Sequence, residues 1–384
     1  MNYAIPEEFV QLAELTRQFV QKELWPQEAV VERLDEIPAD IRQALRAKAR
    51  ELGLFAFNMP ESAGGPGLPY FAQVLIREQL GQAGVALANL VGRPPKALMA
   101  CSAQQRKQFL EPAVQGEKIW AFALSEPGAG SDAMALSSRA IRDGNGWRLN
   151  GTKHFISHGN EADFVLVIAN VQTPEGQEPT AFIVGQGQPG FIVGRVQQKM
   201  GWRGYPICEL FFDDVFVPDE NRLGDVGQGI KLGLSNIQDS RIGVAAHCLG
   251  IAQRAYDYAV NHLRIRKQFG RPLGSFQGLQ WKVADMALDL EQARALVYAA
   301  AREMDLNADA RQSVSMAKLS ATEMAGRVVD QALQLLGGMG YTTDVPLEML
   351  YRDVRAFRIG EGTSEIQKNQ IARACLGKEV YSCQ

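Results

Sequence analysis

The 384-residue chain is poor in the side chains that most metal and redox centres need, with only four histidines and five cysteines. Cys101, Cys208, Cys248, Cys375 and Cys383 are scattered, odd in number and never spaced Cys-x-x-Cys, so they read as free thiols. His154 and His158 stand four apart, but Phe155 and Ile156 between them suit a strand, where that spacing makes no helical ligand pair. No metal site is expected, and acid-base chemistry falls to a carboxylate. No stretch approaches the ~20 apolar residues of a membrane span, and Met1 to Glu8 holds no basic run leading into an apolar core, so the expected location is cytoplasmic. A formal net charge of -3 leaves no broad basic field, which argues against nucleic acid as a partner. Walker-type phosphate loops and a Gly-x-Ser-x-Gly elbow are missing too. A formal Gly-x-Gly-x-x-Gly at Gly185, Gly187 and Gly190 is no dinucleotide fingerprint, because Pro189 and the strand-like Phe191-Ile192-Val193 replace the required helix. A hairpin turn is expected there.

What is present is 46% apolar residues, ample for a large core, arranged in three blocks. Residues 1–120 read as helices over Phe9 to Val31, Pro38 to Leu52, Tyr70 to Gln82 and Gln104 to Val114, punctuated by Gly64-Gly65-Pro66-Gly67. Residues 121–228 shift to short apolar runs, such as Phe164 to Ile168, Ala181 to Val184 and Glu209 to Phe212. These are broken at Asp143 to Gly146 and at Asn150-Gly151, which predicts an antiparallel, β-barrel-like domain. In residues 229–384 the helical stripe returns, as in Ile242, Ala245, Ala246 and Leu249. Long helices over Gly229 to Arg266, Gly278 to Leu306 and Ala308 to Leu336 predict a four-helix bundle. The fold class is mainly α with a central β domain, which leaves a cleft between blocks.

Three segments carry chemistry. Arg358 to Gln367 sets Glu361 between Gly360 and Gly362, just before a helix that Thr363 or Ser364 could cap and that runs through Ile371. The same composition also suits an ordinary turn. Leu124 to Asp132, after a strand from Ile119, exposes main-chain N–H groups at its glycines and hydroxyls at Ser125 and Ser131. It suits a phosphate or a heterocycle edge, or is a well-capped turn. Lys153 to Gly159 puts Phe155 and Ser157 on one side of a strand.

Taken together with Arg266-Lys267-Gln268-Phe269-Gly270, Gln277, Gln334 to Tyr341 and Arg352-Asp353, these segments resemble the acyl-CoA dehydrogenase family, in order and spacing, over the whole chain. The resemblance implies FAD, an acyl-CoA substrate oxidised to its trans-2-enoyl thioester, and an electron-transferring flavoprotein as acceptor. It makes Glu361 the α-proton base, with Ser131, Arg241 and Gly362 at the substrate. FAD contacts are implied for Phe122, Leu124, Ser125, Ser131, Phe155, Ile156, Ser157, Thr363 and Glu365. Arg266, Phe269, Gln277, Gln334, Gly337 and Gly338 resemble residues that reach the FAD of a neighbouring subunit, which implies a homotetramer built as a dimer of dimers. Some members carry the base just before the arginine matching Arg241, where this chain has Ser240.

Two departures bear on the substrate. Gly360 stands where the family commonly has Tyr, which implies room for a branched, cyclic or aromatic acyl group. Arg93-Pro94-Pro95-Lys96 is an unusual run near the expected acyl pocket and either meets a polar acyl end or faces solvent. Relatives that reduce an enoyl thioester or otherwise use acyl-CoA with a flavin are the alternative reading. A flavin-containing DNA-binding branch carries a basic C-terminal extension that is not expected here.

Overall fold

Proline and left-handed residues set the limits of the N-terminal helices. The structure, a computed structural model, describes residues 4–174, 176–306, 309–377 and 380. Helix α1 (Glu7–Phe19) winds on through a π turn and a 3-10 turn containing Pro26 into α2 (Glu28–Leu34), which stops where Asp35 turns left-handed at φ 53°. The helix expected over Phe9 to Val31 is therefore one rod whose winding changes. Pro38 and Pro69 precede α3 (Ala39–Glu51) and α4 (Tyr70–Leu80), as their fixed φ allows at a helix start. Short helices α5 (Val85–Ala88), α6 (Ala103–Gln105) and α7 (Glu111–Gln115) follow, α6 behind a Ser102–Gln105 capping box.

The middle of the chain forms one sheet from β1 (Trp120–Ala123), β2 (Arg139–Asp143), β3 (Gly146–Ser157), β4 (Phe164–Thr173), β5 (Gly176–Gly185), β6 (Phe191–Val196), β7 (Ile207–Pro218) and β8 (Arg222–Leu223). Strand order is β6-β7-β3-β2-β4-β5-β8, with β1 also beside β4. Three expectations change here. The sheet is mixed, because β1 and β2 both pair parallel to β4. Asn150-Gly151 is a bulge inside β3 and not a turn: the register shifts between Leu149 and Gly151, and a Cβ at Gly151 would strike Ser138. Gly185 to Gly190 is not a hairpin, since β5 pairs with β4 and β8 while β6 pairs with β7.

The C-terminal bundle packs α8 (Gly229–Ile265), α9 (Gln277–Asp305) and α10 (Arg311–Leu336) together, with α11 (Leu347–Ala356) and α12 (Ser364–Leu376) against α10. Ala308, the expected start of the third long helix, lies outside the described residues, as does Cys383. Cys101, Cys208 and Cys248 are buried and Cys375 exposed, all four free. Among the described residues no helix is long and apolar enough to cross a membrane.

Glycine lets α8 approach the N-terminal block backbone to backbone. A Cβ at Gly250 would collide with the carbonyl of Glu78, and one at Gly81 with the carbonyl of His247. Charged pairs lock the same seam: Arg254 donates to both Glu28 oxygens at 2.7 and 2.8 Å, and Arg294 Nε to Glu78 at 3.0 Å. On the other side, Trp202 gives its main-chain N–H to Asp353 Oδ1 at 2.5 Å and its indole N–H to the Asp353 carbonyl at 2.9 Å. These ties bring the β domain, α4 and the Glu361 turn to one place.

Candidate active site

After α11 the chain bends sharply, and Glu361 takes a left-handed φ of 57°, followed by Gly362 at 85°. A left-handed non-glycine residue costs about 1–2 kcal/mol, so the neighbours must impose it. They do so through two carbonyls. The Glu361 carbonyl accepts from Arg241 Nε at 2.9 Å and Gln367 Nε2 at 3.2 Å, and the Gly362 carbonyl from Lys318 Nζ at 2.8 Å and Gln367 Nε2 at 2.9 Å. Glycine is required at 362, where a Cβ would also lie 2.9 Å from Gln367 Nε2 and 3.0 Å from Arg241 Nη2. Of the two candidate caps it is Thr363 that starts α12, accepting from the Ile366 N–H at 3.3 Å. Ser364 turns instead to Glu323 at 2.6 Å.

Burial raises the Glu361 carboxyl above its ordinary range, while the Ser240 hydroxyl and the charges of Arg93, Arg241 and Lys318 oppose that rise. Lys318 is fully buried in the middle of α10, and burial brings its ammonium down to about 8. A carboxyl held up in this way is matched to taking a proton from a weak carbon acid near neutral pH.

The loop after β1 is held by an ion pair that sequence reasoning passed over. Glu126 accepts from Lys153 Nζ at 2.7 Å, Ser137 N at 2.6 Å and Ser138 N at 3.1 Å, and Lys153 also donates to the Leu124 carbonyl at 3.1 Å. Burial pushes the Glu126 carboxyl up, but these hydrogen bonds overcome it and bring it to about 2. The pair fixes the loop that carries Ser125 and the exposed Ser131, while Gly128 and Gly130 leave open space where side chains would project. Phe122 and Leu124 pack against the same buried cluster as Ile230 and Leu232 at the start of α8.

In β3 a second register shift, between Lys153 and Ile156, resets the alternation. Phe155 at φ 59° is thrown outward and is 64% exposed, its ring stacked on His154 at 3.9 Å, whereas Ile156 points into the sheet core. Ser157 shares a hydrogen bond with Tyr205, and the charge of Glu361 acts on that same Tyr205.

A second group of expected cofactor residues lies elsewhere. Arg266, Phe269 and Gln277 frame the turn between α8 and α9, and Gln334, Gly337 and Gly338 end α10. Lys282 Nζ reaches Gln331 Oε1 at 3.1 Å, so both sets share one end of the α9–α10 pair. Gln334 comes sixteen positions after Lys318, about 24 Å along the helix, so this group does not reach the Glu361 turn of its own chain. Phe269 is 93% and Tyr341 83% exposed, an apolar surface left for something outside the chain to cover. An open loop with free space at Gly128 and Gly130, beside an outward Phe155, leaves room for a flavin dinucleotide. Thr363 is half-buried and Glu365 exposed at the mouth of the same turn.

Arg93 and Lys96 do not simply face solvent. Lys96 Nζ is 2.8 Å from Asp239 and donates to the Tyr70 hydroxyl at 2.6 Å, and that hydroxyl donates to Asp239 at 2.7 Å. Tyr70, Arg77, Arg93, Asp239, Ile242 and Gly243 line a small pocket between α4 and α8, with room for little more than a water molecule. Gly360, by contrast, has only the Ala356 carbonyl, 3.8 Å away, near where its Cβ would be.

A profile for the acyl-CoA dehydrogenase C-terminal domain matches residues 227–376, and those for the middle and N-terminal domains match 121–215 and 6–117. The short-chain specific acyl-CoA dehydrogenase, mitochondrial, of Mus musculus is 41% identical over 375 residues, covering 96% of this chain and 90% of the relative. The acryloyl-CoA reductase (NADH) of Anaerotignum propionicum is 39% identical, covering 98% and 96%. The solved structure of butyryl-CoA dehydrogenase from Megasphaera elsdenii aligns with a TM-score of 0.90 at 34% identity, over 98% of this chain and all of that one.

Proposed function

The chain belongs to the acyl-CoA dehydrogenase family, and on that premise we propose that Glu361 takes the α-proton of an acyl-CoA thioester. FAD, when bound, supplies the acceptor for the hydride that leaves the β-carbon. The remaining work falls to protein groups. Arg241 and Gln367 hold the main chain of Glu361 so that its carboxylate stays aimed, and the family resemblance assigns the Glu361 N–H to the thioester carbonyl as an oxyanion donor. Ser240 holds the carboxylate, and displacement of water by the acyl chain raises its proton affinity further.

Ser125, Ser131 and the main chain at Gly128 and Gly130 would hold the cofactor on one chain. Arg266, Phe269, Gln277, Gln334, Gly337 and Gly338 would reach it from the next, in a homotetramer. Electrons would leave to an electron-transferring flavoprotein. The observation that carries this reading is the left-handed Glu361, half-buried with its carboxyl raised, at the meeting of α8, α10 and α12.

The test is anaerobic addition of acyl-CoAs to the purified yellow protein. Bleaching of the flavin absorbance with butyryl-CoA-like substrates is expected, and an unchanged spectrum with every acyl-CoA would refute the reading. The reverse reaction, reduction of an enoyl thioester, uses the same groups with Glu361 as proton donor, and the raised carboxyl suits that role too. Reoxidation of the bleached flavin by enoyl-CoA, against reoxidation by an electron-transferring flavoprotein, decides the direction.

A further inference from the structure

Two lysines are buried among the described residues, and they are held differently. Lys153 forms an ion pair with Glu126 at 2.7 Å. Lys318 has no carboxylate within ion-pair distance among the described residues, and its ammonium donates instead to the main-chain carbonyl of Gly362 at 2.8 Å. Glu323, five positions further along α10, is engaged by Arg358 at 3.3 Å and by the Ser364 hydroxyl at 2.6 Å. The α10 residues around Lys318, namely Val314, Ala317 and Ala321, are buried and apolar. An ammonium on such a face is unfavourable, and packing alone would be served better by an apolar side chain.

What Lys318 touches is the turn that carries Glu361. Two peptide groups follow that residue, and each carbonyl is gripped from a different long helix: the first by Arg241 of α8 at 2.9 Å, the second by Lys318 of α10. Gln367 of α12 bonds both, at 3.2 and 2.9 Å, so the Gly362 carbonyl would keep a donor without the lysine. The distinct contribution of Lys318 is therefore a charged grip from a second direction. Arg241 and Cys248 of α8, Glu323 of its own helix, Glu361 of the turn and Glu365 of α12 are the charged and titratable groups that face it. Burial pushes the Cys248 thiol up to about 12, Glu323 is committed to Arg358, and Glu365 is exposed. Glu361 is the anion left for the lysine charge to favour, and that charge does oppose the rise of its carboxyl.

We propose that Lys318 is a positioning residue for the base, gripping the Gly362 carbonyl from α10 so that the left-handed turn keeps Glu361 aimed, and supplying a positive charge that acts on its carboxylate. This rests on Glu361 being the base, as proposed above. The role is separable from stability. An apolar side chain suits the buried face of α10, and Gln367 still satisfies the carbonyl that the lysine would release.

The test is Lys318→Met in the FAD-loaded enzyme, read by thermal unfolding, by steady-state kinetics and by the pH dependence of single-turnover flavin reduction with acyl-CoA. The unfolding midpoint should not fall. The reduction rate and kcat should drop about ten- to hundredfold with KM little changed, and the acid limb should move to higher pH, because a cation that favours ionised Glu361 is gone. Should the Met variant fail to fold, Lys318→Gln, with a polar tip and no charge, carries the pH reading. A wild-type rate and acid limb in the variant, or a loss of turnover that only tracks the loss of folded, FAD-loaded protein, overturns the inference, makes Lys318 a brace between α10 and the turn, and leaves Glu361 standing as the base. Failure of the wild-type flavin to be reduced by any acyl-CoA overturns both.

Discussion

Arg241 donates its Nε–H to the main-chain carbonyl of Glu361 at 2.9 Å, so the guanidinium grips the backbone of the base and not its carboxylate. The arrangement separates aim from basicity: the turn is fixed by contacts to carbonyls, while the carboxyl is tuned by burial and by Ser240.

Replacing Arg241 with Met should loosen the turn and remove a charge that favours the ionised base. A hydrogen bond to a charged group is worth about 1.5–3 kcal/mol, so kcat/KM should fall roughly ten- to hundredfold. Steady-state kinetics with intact flavin content checks this, and circular dichroism confirms the fold.

Ser240 sets the acid limb of the pH profile. Glu361 must be ionised to act as a base, so activity falls as pH drops through its raised pKa. The Ser240 hydrogen bond holds that pKa down. Ser240→Ala should move the acid limb of kcat/KM to higher pH, and a limb that stays put or moves down would contradict the assignment.

Glu126 and Lys153 are both buried, so removing one strands the other. Glu126→Ala should cost about 3–5 kcal/mol of stability and release FAD, read by denaturant unfolding and flavin fluorescence. The sign with pH follows from its carboxyl, at about 2 in the folded chain against 4.5 ordinarily. Its stabilisation is complete above about pH 4.5 and is lost as pH falls toward 2.

Gly362→Ala meets two obstacles, a φ of 85° and side-chain atoms at 2.9 and 3.0 Å from the new Cβ. A loss of about 1 kcal/mol or more in stability, with a larger drop in turnover than in acyl-CoA affinity, is expected. Thermal unfolding and single-turnover flavin reduction separate the two.

Much of the site could be read from local sequence. The Gly-Glu-Gly turn before a Thr-capped helix, the serine loop after β1 and the long bundle helices all show in short windows of chain. What stayed hidden depends on distant contacts. Lys318 meets Gly362 across forty-four positions, and its place on the buried face of α10, beside Val314, Ala317 and Ala321, was the one available signal. Arg77 reads as an ordinary polar residue until α8 closes over α4. Asn150-Gly151 has turn composition, yet pairing with β7 on one side and the nearness of Ser138 on the other make it a bulge.

The central claim, that Glu361 is the base, is tested most directly by stopped-flow flavin reduction in Glu361→Gln. Gln is nearly isosteric and keeps the main-chain contacts to Arg241 and Gln367, so FAD content and acyl-CoA affinity should stay close to wild type. The reduction rate should fall by about two to four orders of magnitude. Reduction at a near-normal rate, with FAD and acyl-CoA bound, would contradict the account.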